Sequence, residues 1–328
     1  MMLIGICNYG SAQTYSQSLL DKAKSGDAKA QRDLGGAYMS GNNVQRDARQ
    51  GLFWIKKSAV QGYAPACTDL GYCYSEGIGV DRNLAIGFEW FKKGADLGDA
   101  EAEFYVGRAY ENGEGVSVDL VKARYWYHKS AINGYVTAQY NLGCLYANGK
   151  GGVQDYRKAV EWYEKAAYQG LDWAQINLGN CYYAGNGVTT DREKAKYLMR
   201  KAAEQNNMVA FYNLGSYYKD EETKDSYLLA ITYYGKAAQL GHEKAKWNLP
   251  IVQTMLAPIY YEEGNIGETV NLLKSAVENK TNSPVGAMRA LAVLYTIDGW
   301  KDPAKADYWL KRAEEVKAKN GNTSMEYK

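Results

Sequence analysis

Two histidines, five prolines and five cysteines are all that this 328-residue chain holds of three residue types that carry chemistry or break helices. His128 and His242 lie far apart, and neither has a cysteine or a second histidine at metal-ligand spacing. No Ser/His/Asp or Cys/His arrangement is recognisable, so the chain is not expected to be an enzyme, and neither a metal nor another cofactor is expected. The cysteines, Cys7, Cys67, Cys73, Cys144 and Cys181, are odd in number and form no repeating pair, which argues against a disulfide framework. Net charge is small: 39 basic residues face 37 acidic ones, for a net charge of +2, with no long run of one sign. A nucleic-acid partner is therefore not expected. No stretch is apolar and long enough to span a membrane, so membrane insertion is not expected either. The shortage of proline leaves room for uninterrupted helices.

What the chain does contain is repetition. Leu34-Gly35, Leu70-Gly71, Val106-Gly107, Leu142-Gly143, Leu178-Gly179 and Leu214-Gly215 recur every 36 residues. Tyr38, Tyr74, Tyr110, Tyr146, Tyr182 and Tyr218 keep the same step, as do Trp54, Trp90, Trp126 and Trp162. Such a period marks one supersecondary unit copied along an axis. Residues 138–146 place apolar side chains at i, i+4 and i+8, which predicts an amphipathic helix A, closed at Gly149. Residues 158–167 predict a helix B, closed at Gly170. Asp47, Asp119, Asp155 and Asp191, with Asn83 in the second copy, stand where a side-chain oxygen caps helix B. Ala30, Ala66, Ala102, Ala138, Ala174 and Ala210 precede the Leu slot by four, so Ala, Leu and Tyr form one packing stripe. Cys73 and Cys181 fall in a slot for small buried side chains and are read as core thiols. The Gly-x-Gly loops, such as Gly113-Glu114-Gly115, follow a helix rather than a strand and lack a Gly-Lys-Ser/Thr element, so they are read as turns.

The residues Ala138, Leu142, Gly143, Tyr146, Gly149, Gly151, Asp155, Lys158, Ala159, Trp162, Lys165, Ala166, Ala167 and Gly170 carry a resemblance to the SEL-one-like repeat family, a relative of the tetratricopeptide solenoids. The resemblance implies an all-α, right-handed α-solenoid of about eight helix-turn-helix repeats. Residues 1–25 then form an N-terminal segment and a capping helix, and 26–240 hold six SEL-one-like repeats. Residues 241–318 form two divergent tetratricopeptide-like hairpins, the first with a longer helix A broken by Pro250 and Pro258, and 319–328 form a tail. The resemblance implies a non-catalytic, protein- or peptide-binding scaffold or adaptor. The alternative is binding or hydrolysis of a cell-wall-related small ligand, as proposed for cysteine-rich bacterial relatives, or carbohydrate binding through aromatics. Those relatives carry a Cys pair in each repeat, which this chain lacks.

With the Leu slot as zero, positions −5, −2, +2 and +5 of helix A point away from the packing stripe. In related solenoids this face lines the concave groove. It carries Tyr72, Arg108, Glu111, Asn180, Tyr183 and Lys219, which differ between copies as a surface reading an asymmetric partner would. Phe104, Tyr140, Ile176 and Tyr212 at −2 are expected to pack between repeats, and Asn141, Asn177, Asn213 and Asn248 to tie repeats by hydrogen bonds. A monomer is expected. Met1–Ile6 is apolar and Gly10-Ser11-Ala12 resembles the end of a signal peptide, but a charged n-region is missing. Met1–Ala12 thus reads either as part of a signal for export to a bacterial periplasm or as a cytoplasmic N-terminus. Ile6 makes Cys7 a poor lipidation candidate.

Overall fold

The computed structural model describes residues 14–278, 285–296 and 301–323. Met1–Ala12, Cys7 and the end of the expected tail lie outside the described residues. A short helix, α1 (Gln17–Lys24), precedes eight helical hairpins. These are α2 (Ala28–Ser40) with α3 (Ala48–Val60), α4 (Ala64–Glu76) with α5 (Leu84–Asp96), α6 (Ala100–Asn112) with α7 (Leu120–Ile132), and α8 (Val136–Asn148) with α9 (Tyr156–Tyr168). They continue as α10 (Asp172–Ala184) with α11 (Arg192–Glu204), α12 (Met208–Lys219) with α13 (Lys224–Gln239), α14 (Glu243–Glu262) with α15 (Ile266–Glu278), and α16 (Val285–Leu294) with α17 (Pro303–Thr323). Among the described residues there is no strand, and the chain is an all-α solenoid. It divides into two compact units, Met1–Ala174 with Gly185–Thr189, and Gln175–Ala184 with Thr190–Lys328.

In the first unit each helix packs on its neighbours in sequence. The Ala and Leu slots are sealed: Ala66, Leu70, Ala102, Val106, Ala138 and Leu142 are all at 0% exposure. Deleting such a Leu side chain costs ~2–5 kcal/mol. The glycine after it sets how near the two helices of a hairpin come. A Cβ on Gly71 would stand 2.6 Å from the Phe91 ring, on Gly107 2.8 Å from Tyr127, and on Gly143 2.6 Å from Tyr163. Each of these rings sits on helix B directly after the Trp slot, and all three are almost wholly buried. The same contact recurs in the second unit between Gly215 and Tyr234.

Helix B starts where the sequence predicts. Asp47, Asp119, Asp155 and Asp191 accept backbone N–H bonds at the N-termini of α3, α7, α9 and α11, and Asn83 does so for α5. The backbone N–H of each cap donates in turn to the Tyr-slot carbonyl, as Asp119 does to Tyr110 at 2.8 Å. The second glycine of each Gly-x-Gly loop does more than turn the chain. Gly79, at φ +72°, leaves no room for a Cβ, which would stand 2.5 Å from the Ala48 carbonyl at the start of α3 in the preceding repeat. Gly115 meets Leu84 and Gly151 meets Leu120 in the same way. The loop therefore presses backbone to backbone on the repeat before it.

Polar groups close the remaining gaps between repeats. Gln31 and Gln139 donate to the carbonyls of Ala23 and Ala131 at the ends of the preceding helices B. Their oxygens accept from Gln61 and Gln169 at the ends of their own helices B. The buried amides of Gln31 and Gln139 are thus paired through both nitrogen and oxygen, as their desolvation requires.

Two departures mark the second unit. The loop after α12 lacks Gly-x-Gly, and Thr223 and Ser226 start α13 with a reciprocal capping box instead. Contrary to the sequence expectation, α14 is not broken: Pro250 and Pro258 lie inside one continuous helix. An internal proline costs ~3 kcal/mol, but Pro250, Val252, Leu256 and Ala257 are buried, and that packing holds the helix together. The last helix also runs into the expected tail, as far as Thr323.

The glycine contacts make a paired prediction. Gly143→Ala should destabilise the fold by about 1–3 kcal/mol through overpacking on Tyr163. Gly235→Ala, in α13 with nothing within 4 Å of its Cβ, should stabilise by up to about 1 kcal/mol. Chemical unfolding of the two variants checks the sign of each.

Candidate functional site

The residues expected on the binding face fall into two local arrangements and one outlier. The outlier is Tyr72, expected to be exposed on α4 at slot +2. It is only 9% exposed, and its ring centroid lies 6.3 Å from that of Tyr105. It is part of an aromatic core with Phe88, Phe91 and Phe104. The +2 slot of one helix A faces the next helix A, and a large ring there is drawn into the space between them. Tyr72 is a packing residue, which corrects its place on the exposed surface.

Arg108 and Glu111, both on α6, are half-buried and engaged. Arg108 Nε donates to Glu114 Oε2 at 3.0 Å, and its guanidinium lies 4.9 Å from the Tyr105 ring centroid. Glu111 accepts from the Tyr127 hydroxyl at 2.8 Å and pairs with Lys150 at 3.7 Å. Burial first, and then Glu111, push the Tyr127 hydroxyl well above its ordinary pKa.

In the second unit the structure brings Asn180, Tyr183 and Lys219 together. Tyr183 of α10 stacks on Tyr217 of α12, with centroids 3.8 Å apart and planes 4° from parallel. Its hydroxyl donates to Asp220 Oδ2 at 2.9 Å, and Lys219 pairs with the other oxygen of the same carboxylate at 3.3 Å. Asn180 Oδ1 accepts from the Tyr217 hydroxyl at 2.7 Å and from Asn213 at 3.4 Å. Burial, then the bond to Asp220, push the Tyr183 hydroxyl up to about 12, so it acts as a neutral donor. Tyr217 and Asp220 escape a reading confined to slots −5, −2, +2 and +5. Tyr217 is at +3, on the edge of α12 turned toward α10, and Asp220 lies just beyond the helix. A stack between consecutive repeats could have been sought by pairing +5 of one copy with +3 of the next.

The packing expectations hold for Phe104, Ile176, Tyr212, Asn213 and Asn248, while the Tyr140 ring lies 6.1 Å from that of Tyr163 in its own hairpin. Phe104 and Ile176 are buried, and Tyr212 stacks on His242 at 4.3 Å. Asn213 and Asn248 bond to the preceding repeat, Asn248 through the hydroxyls of Tyr212 and Tyr234. His128 is exposed and edge-on to Trp162, while His242 caps α14 by accepting from the Ala245 N–H. Cys73 and Cys181 are buried, as expected, and burial pushes the Cys181 thiol up to about 11, which keeps it protonated. Among the described residues no group of His, Cys, Asp and Glu is arranged to hold a metal ion, and no helix is long and apolar enough to cross a membrane.

One titratable cluster was not legible in the sequence. Buried Asp69 is held by Arg32 at 2.6 Å, and Asp99 accepts from Thr68 at 2.8 Å. Burial, followed by the charges of Asp69 and Asp99, raises the Glu101 carboxyl from 4.5 to about 7. The folded state thus holds this proton more tightly than the unfolded chain. The resulting stabilisation is complete below pH 4.5 and is lost as pH rises through about 7.

Glu101→Gln should therefore flatten stability between these pH values, removing a slope of at most about 1.4 kcal/mol per pH unit. Denaturant titrations at several pH values measure it. Tyr72→Ala should cost about 3 kcal/mol, whereas Lys219→Ala, whose ion pair is surface-exposed, should stay within about 0.5 kcal/mol.

Comparison with known proteins adds to this geometry. Sel1 repeats match at residues 28–63, 64–99, 100–135, 136–171, 174–207 and 210–242. A Sel1 repeat protein from Oxalobacter formigenes is similar at 33% identity over 59% of this chain and 79% of that one, with a TM-score of 0.56. The chain is also similar to c5321, a protective antigen present in uropathogenic Escherichia coli strains displaying an SLR fold. That likeness has 27% identity over 92% of this chain and 79% of that one, with a TM-score of 0.56. Among curated proteins none matches. Sel1 repeat proteins are generally protein-interaction scaffolds. The matched repeats span more than half of the sequence and coincide with the helical hairpins, so the chain belongs to the Sel1 repeat family.

Proposed function

We propose that this protein is a non-catalytic scaffold that captures a protein or peptide partner on the faces of its helices A that lie outside the packing stripe. The observation that carries the reading is the constellation of Asn180, Tyr183, Tyr217, Lys219 and Asp220. It offers aromatic edge, amide, cation and carboxylate from α10 and from α12 and its end, held in place by their own stack and hydrogen bonds. Preorganised aromatic and polar groups of this kind suit a polypeptide, whose backbone needs both donors and acceptors. Arg108 and Glu111 offer a second, more deeply braced patch in the first unit. Carbohydrate binding is less well supported, because Tyr183 spends one ring face on Tyr217 and has Arg192 at 5.4 Å from its ring centroid. Hydrolysis of a cell-wall-related ligand has no nucleophile to rest on in the buried, protonated Cys181 thiol.

The test is affinity capture by the immobilised protein from cells that express it. A combined Asn180→Ala and Tyr183→Ala change should reduce capture by about tenfold or more while leaving the helical signal intact. His128→Ala, on exposed helix B, should capture normally. Normal capture by the double variant, with loss in the helix B variant, would move the partner to the other face.

A further inference from the structure

Helix α14 has two apolar faces, one sealed in the core and one half-exposed. Ala245, Val252, Leu256 and Ala257 are at 0–2% exposure in the core of the second unit. Trp247, Ile251 and Met255, spaced by four, form a separate stripe at 50%, 43% and 40% exposure, and exposed Pro258 extends it. A surface helix needs only the first face to fold. A contiguous open stripe of large apolar side chains marks a contact surface.

Its charges say which contact. At 100° per residue, Lys244 and Glu262 both fall within 20° of Ile251, one at each end of the stripe. Both are exposed, and among the described residues neither has an ion-pair partner; the nearby Glu243 is neutralised by Lys246 and Glu263 by Lys224. The stripe thus reads cation, apolar centre, anion over about 27 Å. Laid antiparallel on a copy of itself, it places each Lys244 against the other chain's Glu262 and apolar centre against apolar centre. That is the self-complementarity of a two-fold interface.

We propose that the exposed stripe of α14 pairs with the same stripe of a second copy of this chain, antiparallel about a two-fold axis, in place of the monomer expected from sequence. One helix pair covers less than the ~800 Å² per partner of a standard interface, so the dimer is concentration-dependent, with a Kd on the order of micromolar.

Sedimentation equilibrium of the full chain at low salt, over about 1–100 µM, tests this without any other partner, so its outcome is independent of the scaffold reading. The wild type should dimerise, and added salt should weaken it. Lys244→Glu alone, or Glu262→Lys alone, sets two like-charge pairs across the axis and should weaken dimerisation about tenfold or more. The Lys244→Glu, Glu262→Lys double variant should recover to within about threefold. Ile251→Glu should abolish the dimer with unchanged helicity. A monomer at every concentration overturns the proposal. So does a dimer indifferent to Ile251→Glu, and so does a double variant no tighter than the singles.

Discussion

The contact between a glycine on helix A and a bulky side chain on helix B governs this fold. Gly71, Gly107 and Gly143 let the rings of Phe91, Tyr127 and Tyr163 lie against bare backbone. Removing a side chain from one helix and placing a large one opposite brings the two axes close while filling the space between them. With that spacing set, the Asp caps, the Tyr-slot carbonyls and the Gly-x-Gly loops all fall at constant distances. A repeat so defined can be stacked without change, which is why ten consecutive helices, α2 to α11, share one length of 13 residues.

Stacking has its own chemistry, distinct from hairpin formation. Apolar burial runs through each repeat and across to the next, as in the cluster from Tyr72 and Phe91 to Tyr105 and Leu142, and the join to the preceding repeat adds backbone and amide contacts. The second loop glycine meets a helix N-terminus, and Gln31 and Gln139 bridge two helix C-termini. Helix ends carry unpaired carbonyls that must be met somewhere, and the repeat uses them as its adhesive. Where a copy loses one device, another replaces it. Thr223 and Ser226 take over at α13, and packing carries α14 through two prolines.

The surface left after packing is where copies differ. Slot +2 shows the range: Tyr72 is swallowed by the aromatic core, Arg108 is braced by a carboxylate and a ring, and Asn180 is an exposed acceptor. One position in the repeat thus serves cohesion in one copy and stays exposed in another. What decides is which ring or charge its surroundings offer: the Tyr105 ring for Tyr72, and Tyr105 with the loop carboxylate of Glu114 for Arg108.

The 36-residue period, the helix pairs, their caps and their packing stripe were all readable from residue order alone, because each rests on local rules: helical periodicity, side-chain capping and the small size of glycine and alanine. The face of Arg108, Glu111, Asn180, Tyr183 and Lys219 was readable too, as a register. Its content was not. That Tyr72 is buried, that Tyr183 lies on Tyr217, that Asp220 joins Tyr183 to Lys219, and that Glu101 holds a proton near neutrality all depend on groups one repeat away. Those relations are set by the distance between neighbouring helices and by burial, which lowers the local dielectric and decides which charge survives. Sequence determined the unit and its pitch; only tertiary packing decided which side chains remained available to a partner.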